Sequence, residues 1–254
     1  MDRLFALFLY FSTPIFTQAR SLTVKNNCAF TVWPALFTPQ IGSGSAASGP
    51  DGKTGWEAPA GSEVSFSVPD DWQAGRLWGR RDCDFSRAPP LTCASGSCNG
   101  GLECTSTGVP PATLAEFSFG ATSGITDFYD ISLVDGFNLP MQITNNAKCP
   151  VAECTVDLNA ACPRQLRGNN TADGAVSGCM SSCLANLDGQ QTNSPNCCTG
   201  DSSGGATSCT AAGVQFFDYF KGRCPNALAY AFDELALWQC DGKLEAQYTV
   251  TFCP

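Results

Sequence analysis

Short runs in which apolar and polar residues alternate recur along the chain. "SLTVK" at 21–25 puts Leu22 and Val24 on one face. "EVSFSV" at 63–68 puts Val64, Phe66 and Val68 on one face and Ser65 and Ser67 on the other. Near the far end, "QYTVTF" at 247–252 does the same with Tyr248, Val250 and Phe252. A period of two predicts strands with one face buried. Gly/Pro/Ser punctuation between such runs points to an all-β sandwich or barrel. The chain has 25 Gly and 16 Pro, and loops such as "GSGSAASGPDGKTG" at 42–55 fit that architecture. Two stretches carry helix patterns: "GCMSSCLANL" at 178–187, and "VQFFDYFKGRC" at 214–224, which stops at Pro225.

One core-like stretch breaks the pattern. "ITDFYDISLVDGFNLPM" at 125–141 is rich in apolar residues, yet it carries Asp127, Asp130 and Asp135. Carboxylates are rarely buried without partners, so these three need an explanation.

The first residues place the chain in a compartment. After Met1-Asp2-Arg3 comes "LFALFLYFSTPIF", then "TQA" with small residues at Thr17 and Ala19. The apolar run is too short to span a bilayer and reads as a secretory leader cleaved after Ala19, the plainer alternative being a buried N-terminal strand. No other stretch is long enough to cross a membrane. The mature chain from Arg20 is expected outside the cell or in the cell wall. Its formal net charge is -9. That makes nucleic acid and anionic lipid poor ligands, because like charges repel.

Cysteine and histidine counts narrow the chemistry. Sixteen cysteines in a secreted chain imply a disulfide framework. They allow roughly two million pairings, and spacing alone does not choose among them. Residues 83–104, with Cys83, Cys93, Cys98 and Cys104 among few apolar residues, need covalent closure. The chain has no histidine. Histidine-based nucleophilic catalysis and histidine metal sites are therefore excluded, and we expect neither metal nor cofactor. Acid–base work falls to Asp, Glu, Tyr or Lys, and extracellular hydrolases that use carboxylates alone are typically glycosidases. "NNT" places one N-glycosylation sequon at Asn169.

Several segments together resemble the thaumatin family of thaumatin-like, pathogenesis-related proteins: "NNCAFTVWPALF", "GRLWGRRDCDF", "PATLAEFSFG", "DFYDISLVDGFNLPM" and "FKGRCPNALAYAFDE". The likeness covers the mature chain in order, with all 16 cysteines. One departure is local: the family's Thr-Gly-Asp-Cys reads Ser95-Gly96-Ser97-Cys98 here. The resemblance implies a mainly β fold. A flattened β-sandwich core would take residues 20–80, 112–152 and 225–254, a small disulfide-closed ribbon 81–111, and a disulfide-rich loop/helix unit 153–224. It also implies the pairs Cys28–Cys253, Cys83–Cys93, Cys98–Cys104, Cys149–Cys240, Cys154–Cys224, Cys162–Cys179, Cys183–Cys197 and Cys198–Cys209.

The family's cleft carries an arginine, a glutamate and three aspartates. Position by position these fall on Arg76, Glu116, Asp130, Asp135 and Asp233. Ile131, Leu133 and Phe137 would then pack the core, and Asp127, outside the set, reads as a turn residue. Glu116 would be the general acid, Asp130 or Asp135 the base or nucleophile, and Arg76 and Asp233 would orient sugar hydroxyls. The implied substrate is β-1,3-glucan or a related wall polysaccharide, met by a monomer. A non-catalytic glucan-binding or antifungal protein using the same cleft is the second reading, and a structural ion network around Arg76 is the plainer one. Phe117, Phe137 and Trp238 suit sugar stacking and core packing equally.

The even cysteine count yields the first prediction. Thiol titration of the denatured, unreduced protein should find about zero equivalents; one reproducible free thiol would contradict it.

Overall fold

The structure, a computed structural model, describes residues 19–39, 45–89, 92–120 and 125–254. The leader reading takes residues 1–19, of which 1–18 lie outside the described residues, as do the first three positions of the 42–55 loop.

Eleven strands are described. They are β1 (Ala19–Asn26), β2 (Trp33–Phe37), β3 (Glu63–Pro69), β4 (Gly75–Cys83), β5 (Cys93–Ser95), β6 (Leu114–Ser118), β7 (Thr126–Ser132), β8 (Met141–Asn145), β9 (Ala152–Cys154), β10 (Trp238–Asp241) and β11 (Tyr248–Phe252). Five form one sheet in the order β3-β1-β11-β8-β9, and five more form a second in the order β10-β7-β6-β4-β2, with β5 hydrogen-bonded to β4 beyond that path. The three alternating runs of the sequence are β1, β3 and β11. β1 and β11 pair in parallel at the centre of the first sheet, Leu22 opposite Tyr248 and Val24 opposite Val250. The two ends of the chain thus meet in one sheet.

Period-two alternation decides what each face carries. Leu22 and Val24 of β1, Val250 and Phe252 of β11, and Ile131 of β7 are buried in one core shared by both sheets. The Tyr248 ring lies 5.1 Å from Tyr129 and 5.6 Å from Phe117, across the gap between the sheets. Ile131, Leu133 and Phe137 are fully buried in this core. Phe117 joins them, and Trp238 packs against them with its Nε1 donating to the Asn226 carbonyl at 3.2 Å. These rings serve packing.

Asp127 corrects the sequence reading. It lies inside β7, not in a turn, and is fully buried. It shares the inward face with Tyr129 and Ile131, so burial follows from its parity in the strand. Arg20 of β1, on the inward face of the other sheet, pairs with Asp127 Oδ2 and with Asp70 at 2.7 Å. The Tyr248 hydroxyl donates to Asp127 Oδ2 at 2.9 Å and the Gly120 amide to Oδ1 at 3.1 Å. The carboxylate is thus fully hydrogen-bonded, the condition for burying a charge.

A smaller core lies on the outer face of the second sheet. Ala35, Trp78 and Leu114 there are covered by Cys98, Cys104 and Ala112. Trp78 Nε1 donates to the Gly96 carbonyl at 2.7 Å. Arg80, fully buried, donates to the carbonyls of Trp33, Gly101 and Leu102 at 2.8–2.9 Å. Burial without a carboxylate partner lowers its pKa to about 10. At the departing Ser95-Gly96-Ser97-Cys98 segment, Ser97 Oγ accepts from the Cys93 amide at 2.7 Å and donates to the Cys93 carbonyl at 3.1 Å. The serine closes the turn.

All sixteen cysteines are paired, and the eight bridges join the partners that the resemblance implies. Regular helix is scarce. Of 214–224 only α1 (Phe217–Lys221) is α-helical. The 178–187 pattern forms turns, with single bonds from Ala185 N to Ser181 O and from Asn186 N to Cys183 O. Its Cys179 and Cys183, one helical turn apart in sequence, are drawn to different partners, Cys162 and Cys197, and α-helix is not continued there. No helix among the described residues is long and apolar enough to cross a membrane.

The inter-sheet ion pair sets the second prediction. Arg20→Met would leave Asp127 buried without its cation, a change that commonly costs about 3–5 kcal/mol. Urea unfolding at neutral pH reads the loss directly. A decrease below about 1 kcal/mol would show that Tyr248 and Gly120 satisfy Asp127 alone.

Candidate functional site on the outer face of the second sheet

The register of three neighbouring strands builds the site. Arg76 of β4 lies opposite Glu116 of β6, and Glu116 lies opposite Asp130 of β7. Each position has the outward parity of its strand. Strands sit about 4.8 Å apart, so the three side chains form a row about 10 Å long across the sheet. Directly opposed cross-strand residues interact, favourably for opposite charges and unfavourably for like ones. Arg76 Nε donates to Glu116 Oε1 at 2.9 Å, with both side chains half-buried. On its other flank Glu116 faces Asp130, a like charge.

Asp135 joins from the turn after β7. That turn closes with the Gly136 amide on the Leu133 carbonyl at 2.9 Å. Gly136 has φ +83, and a Cβ there would stand 2.7 Å from the Cys179 carbonyl, so only glycine fits. The Asp135 carbonyl accepts from Ala112 N at 3.0 Å, which fixes the backbone that presents its carboxylate.

These carboxylates do not keep ordinary pKa values. Asp130 is held well above the usual carboxylate range, first by burial and then by the charge of Glu116, with Arg76 opposing. Only 6% of it is exposed, and its Oδ1 is buried with no hydrogen-bond partner. A carboxyl in that setting keeps its proton. Glu116 is also raised, by burial foremost and by Asp135, against the pull of Arg76. Burial raises Asp135 too, again opposed by Arg76. One cation among three carboxyls favours the ionised form of its neighbours, while burial disfavours it most at the innermost, Asp130.

Asp233 takes a different partner. It accepts from Lys221 Nζ at 2.8 Å and from the Ala229 amide at 2.9 Å, and is itself buried. Lys221 closes α1, so Asp233 ties that helix to the segment that follows. Nothing in the spacing of the sequence flags Lys221; it is one of several surface-type cations until the fold brings it to the aspartate. Asn169, the sequon residue, is exposed, far along the chain from this row. Among the described residues no group of three or more His, Cys, Asp or Glu side chains is arranged to hold a metal ion.

A two-sheet β protein braced by eight disulfides, with charged residues in register on one outer face, is the class the geometry defines. The chain belongs to the thaumatin family, whose profile matches residues 26–254. A pathogenesis-related thaumatin-like protein 3.5 of Cryptomeria japonica is 38% identical over 242 residues, which are 93% of this chain and 90% of that one. A protein of Prunus avium named glucan endo-1,3-beta-glucosidase is 35% identical over 248 residues, 93% of this chain and 91% of that one. Among solved structures, a family 64 laminaripentaose-producing β-1,3-glucanase from Paenibacillus barengoltzii, complexed with laminarihexaose, superposes with a TM-score of 0.50. It is 11% identical and the match covers 92% of this chain and 74% of that one, a likeness of fold alone.

The raised pKa of Asp130 has a stability consequence. An unfolded aspartate titrates near 3.9, and the folded one well above it, so between those values the folded state binds more protons. Wild-type stability should therefore fall as pH rises through that window, by up to about 1.4 kcal/mol per pH unit from this group. Asp130→Asn removes the contribution. Urea unfolding from pH 4 to pH 7 should show the variant gaining on wild type as pH rises, and parallel profiles would contradict the assignment.

Proposed function

We propose that the Arg76–Glu116–Asp130 row, with Asp135, binds β-1,3-glucan and hydrolyses it by carboxylate acid–base chemistry. The observation that carries the reading is the buried, partnerless Oδ1 of Asp130 beside a glutamate whose own proton affinity is raised. Glycosidic cleavage requires one protonated and one ionised carboxyl at the scissile bond. The sequence left Asp130 and Asp135 open as the base. A residue that is buried and keeps its proton serves poorly as a base, so Asp135, half-buried and next to Arg76, takes that role. Glu116, partly open to solvent, is the general acid that protonates the leaving oxygen. Burial and the charge of Asp135 favour the protonated form of Glu116 that an acid needs, while Asp130, opposite it in register with its carboxyl held above the usual range, adds no base to the site. Arg76 balances the remaining charge and orients sugar hydroxyls, and Asp233 acts at one remove by holding α1 in place. The similarity to a relative named as a glucan endo-1,3-beta-glucosidase supports the substrate class. The protein works as a monomer outside the cell or in the cell wall, in keeping with eight disulfides that persist only under oxidising conditions.

Reducing-sugar release from laminarin at acidic pH tests the reading. Glu116→Gln keeps size and hydrogen bonding but removes the transferable proton, so the rate should fall by about 10²–10⁴-fold while glucan binding persists. Equal rates in wild type and variant would exclude this row as the active site. Binding by both with turnover by neither would make the protein a glucan-binding antifungal factor using the same face.

A further inference from the structure

A second polar surface lies on the ribbon side of the molecule. Residues 169–177 form a small hairpin. The Thr171 amide donates to the Ala175 carbonyl at 2.7 Å and the Ser177 amide to the Asn169 carbonyl at 2.9 Å. The hairpin is tied to β4 and β5: Asp82 Oδ2 accepts from the Ala172 amide at 2.7 Å, and Ser177 Oγ donates to the Ala94 carbonyl at 3.1 Å. Between hairpin and strands runs a groove of about 450 Å³, lined by Asp82, Arg87, Ala94, Asn169, Thr171 and Ala172. That is within the range of about 300–1,000 Å³ that small-ligand sites occupy. The groove starts at the sequon asparagine, whose side chain is exposed.

We propose that Asn169 carries an N-linked glycan whose first N-acetylglucosamine lies in this groove and braces the hairpin against the β4–β5 ribbon. The chemistry of the walls suits an amino sugar. The Arg87 guanidinium offers donors to ring hydroxyls and to the acetamide carbonyl. The Asp82 carboxylate accepts from hydroxyls, and Ala94 with the Cys83–Cys93 bridge gives an apolar floor for the pyranose face. Attachment forms a bond from the Asn169 amide nitrogen to the anomeric carbon of a lipid-linked oligosaccharide. The nitrogen loses one proton and the lipid diphosphate departs with the electrons of the bond to the sugar. In the folded hairpin Thr171 is only 6% exposed, and its hydroxyl donates to the Asp173 carboxylate, with the Ala175 carbonyl also within reach at 3.0 Å. A sequon hydroxyl engaged in this way is closed to a transferase, so the sugar is added while the chain is still extended, before the hairpin closes.

The proposal is independent of the carboxylate row and shares with it only passage through the secretory pathway. The full chain secreted from a eukaryotic host tests it by peptide mapping and by the rate of release with peptide N-glycosidase. We expect a glycan on the Asn169 peptide in wild type and in Asn170→Gln, which retains the sequon, and none in Asn169→Gln. We expect release from the native protein at least tenfold slower than from the reduced, denatured protein, and several-fold faster from native Arg87→Ala. An unmodified Asn169 in the secreted protein overturns the proposal outright. A glycan released equally fast from native and denatured protein, or at the same native rate from Arg87→Ala and wild type, overturns the groove.

Discussion

The register of β4, β6 and β7 is the constraint from which the rest of the molecule follows. It sets Arg76, Glu116 and Asp130 side by side on the outer face. The same alternation sends Asp127, three residues earlier, to the inner face. Because strands have a period of two, a slip of one residue in β7 would drive Asp130 into the core and expel Asp127. Arg20 would then lose Asp127 and keep only the half-buried Asp70 as its established partner. The ion pair between the sheets is specific to the register that builds the surface row, and inner and outer faces hold each other in place. Replacing such a pair by apolar residues often costs little stability, so its part here is better described as fixing the pairing than as adding to ΔG.

Covalent closure keeps that register where packing is thin. β10 is an edge strand of four residues, and Cys240 within it lies opposite Asp127. The Cys149–Cys240 bridge fastens it to the segment after β8 in the other sheet. Cys28–Cys253 locks the parallel pairing of β1 with β11, its two ends separated by 225 positions in the sequence. Longer loops gain more from closure than short ones such as Cys98–Cys104, since the entropy removed from the unfolded chain grows with loop length. Gly136 and the carbonyl of Asp135 do the same work by backbone contact, holding the turn that carries the third carboxyl.

Much of the fold was legible because it is written in period-two runs. β1, β3 and β11 follow directly from alternation, and the cysteine pairs follow from the resemblance rather than from spacing. What alternation alone did not reveal is partnership across the chain. Asp127 reads as a turn residue because its partners, Arg20 and Tyr248, are more than a hundred positions away. Asp233 comes into the cleft set only through the resemblance, and its partner Lys221 carries no local mark of that contact in the sequence. The 178–187 segment reads as helix because its apolar spacing is helical, and disulfides to two different partners override that local preference. The outer row itself was half visible: the residue types were evident, but which neighbour each would face depends on register.

The central claim is that the row divides its protons unequally and that glucan is met there. Carboxyl ¹³C NMR of Asp and Glu, followed through a pH titration with and without a laminari-oligosaccharide, tests both parts at once. The account predicts that Asp130 stays protonated well above the usual aspartate range, and that sugar shifts the carboxyl signals of Glu116 and Asp135 while that of the buried Asp127 stays put. An Asp130 that titrates near 3.9 like an unfolded aspartate, with no row signal responding to sugar, would contradict it.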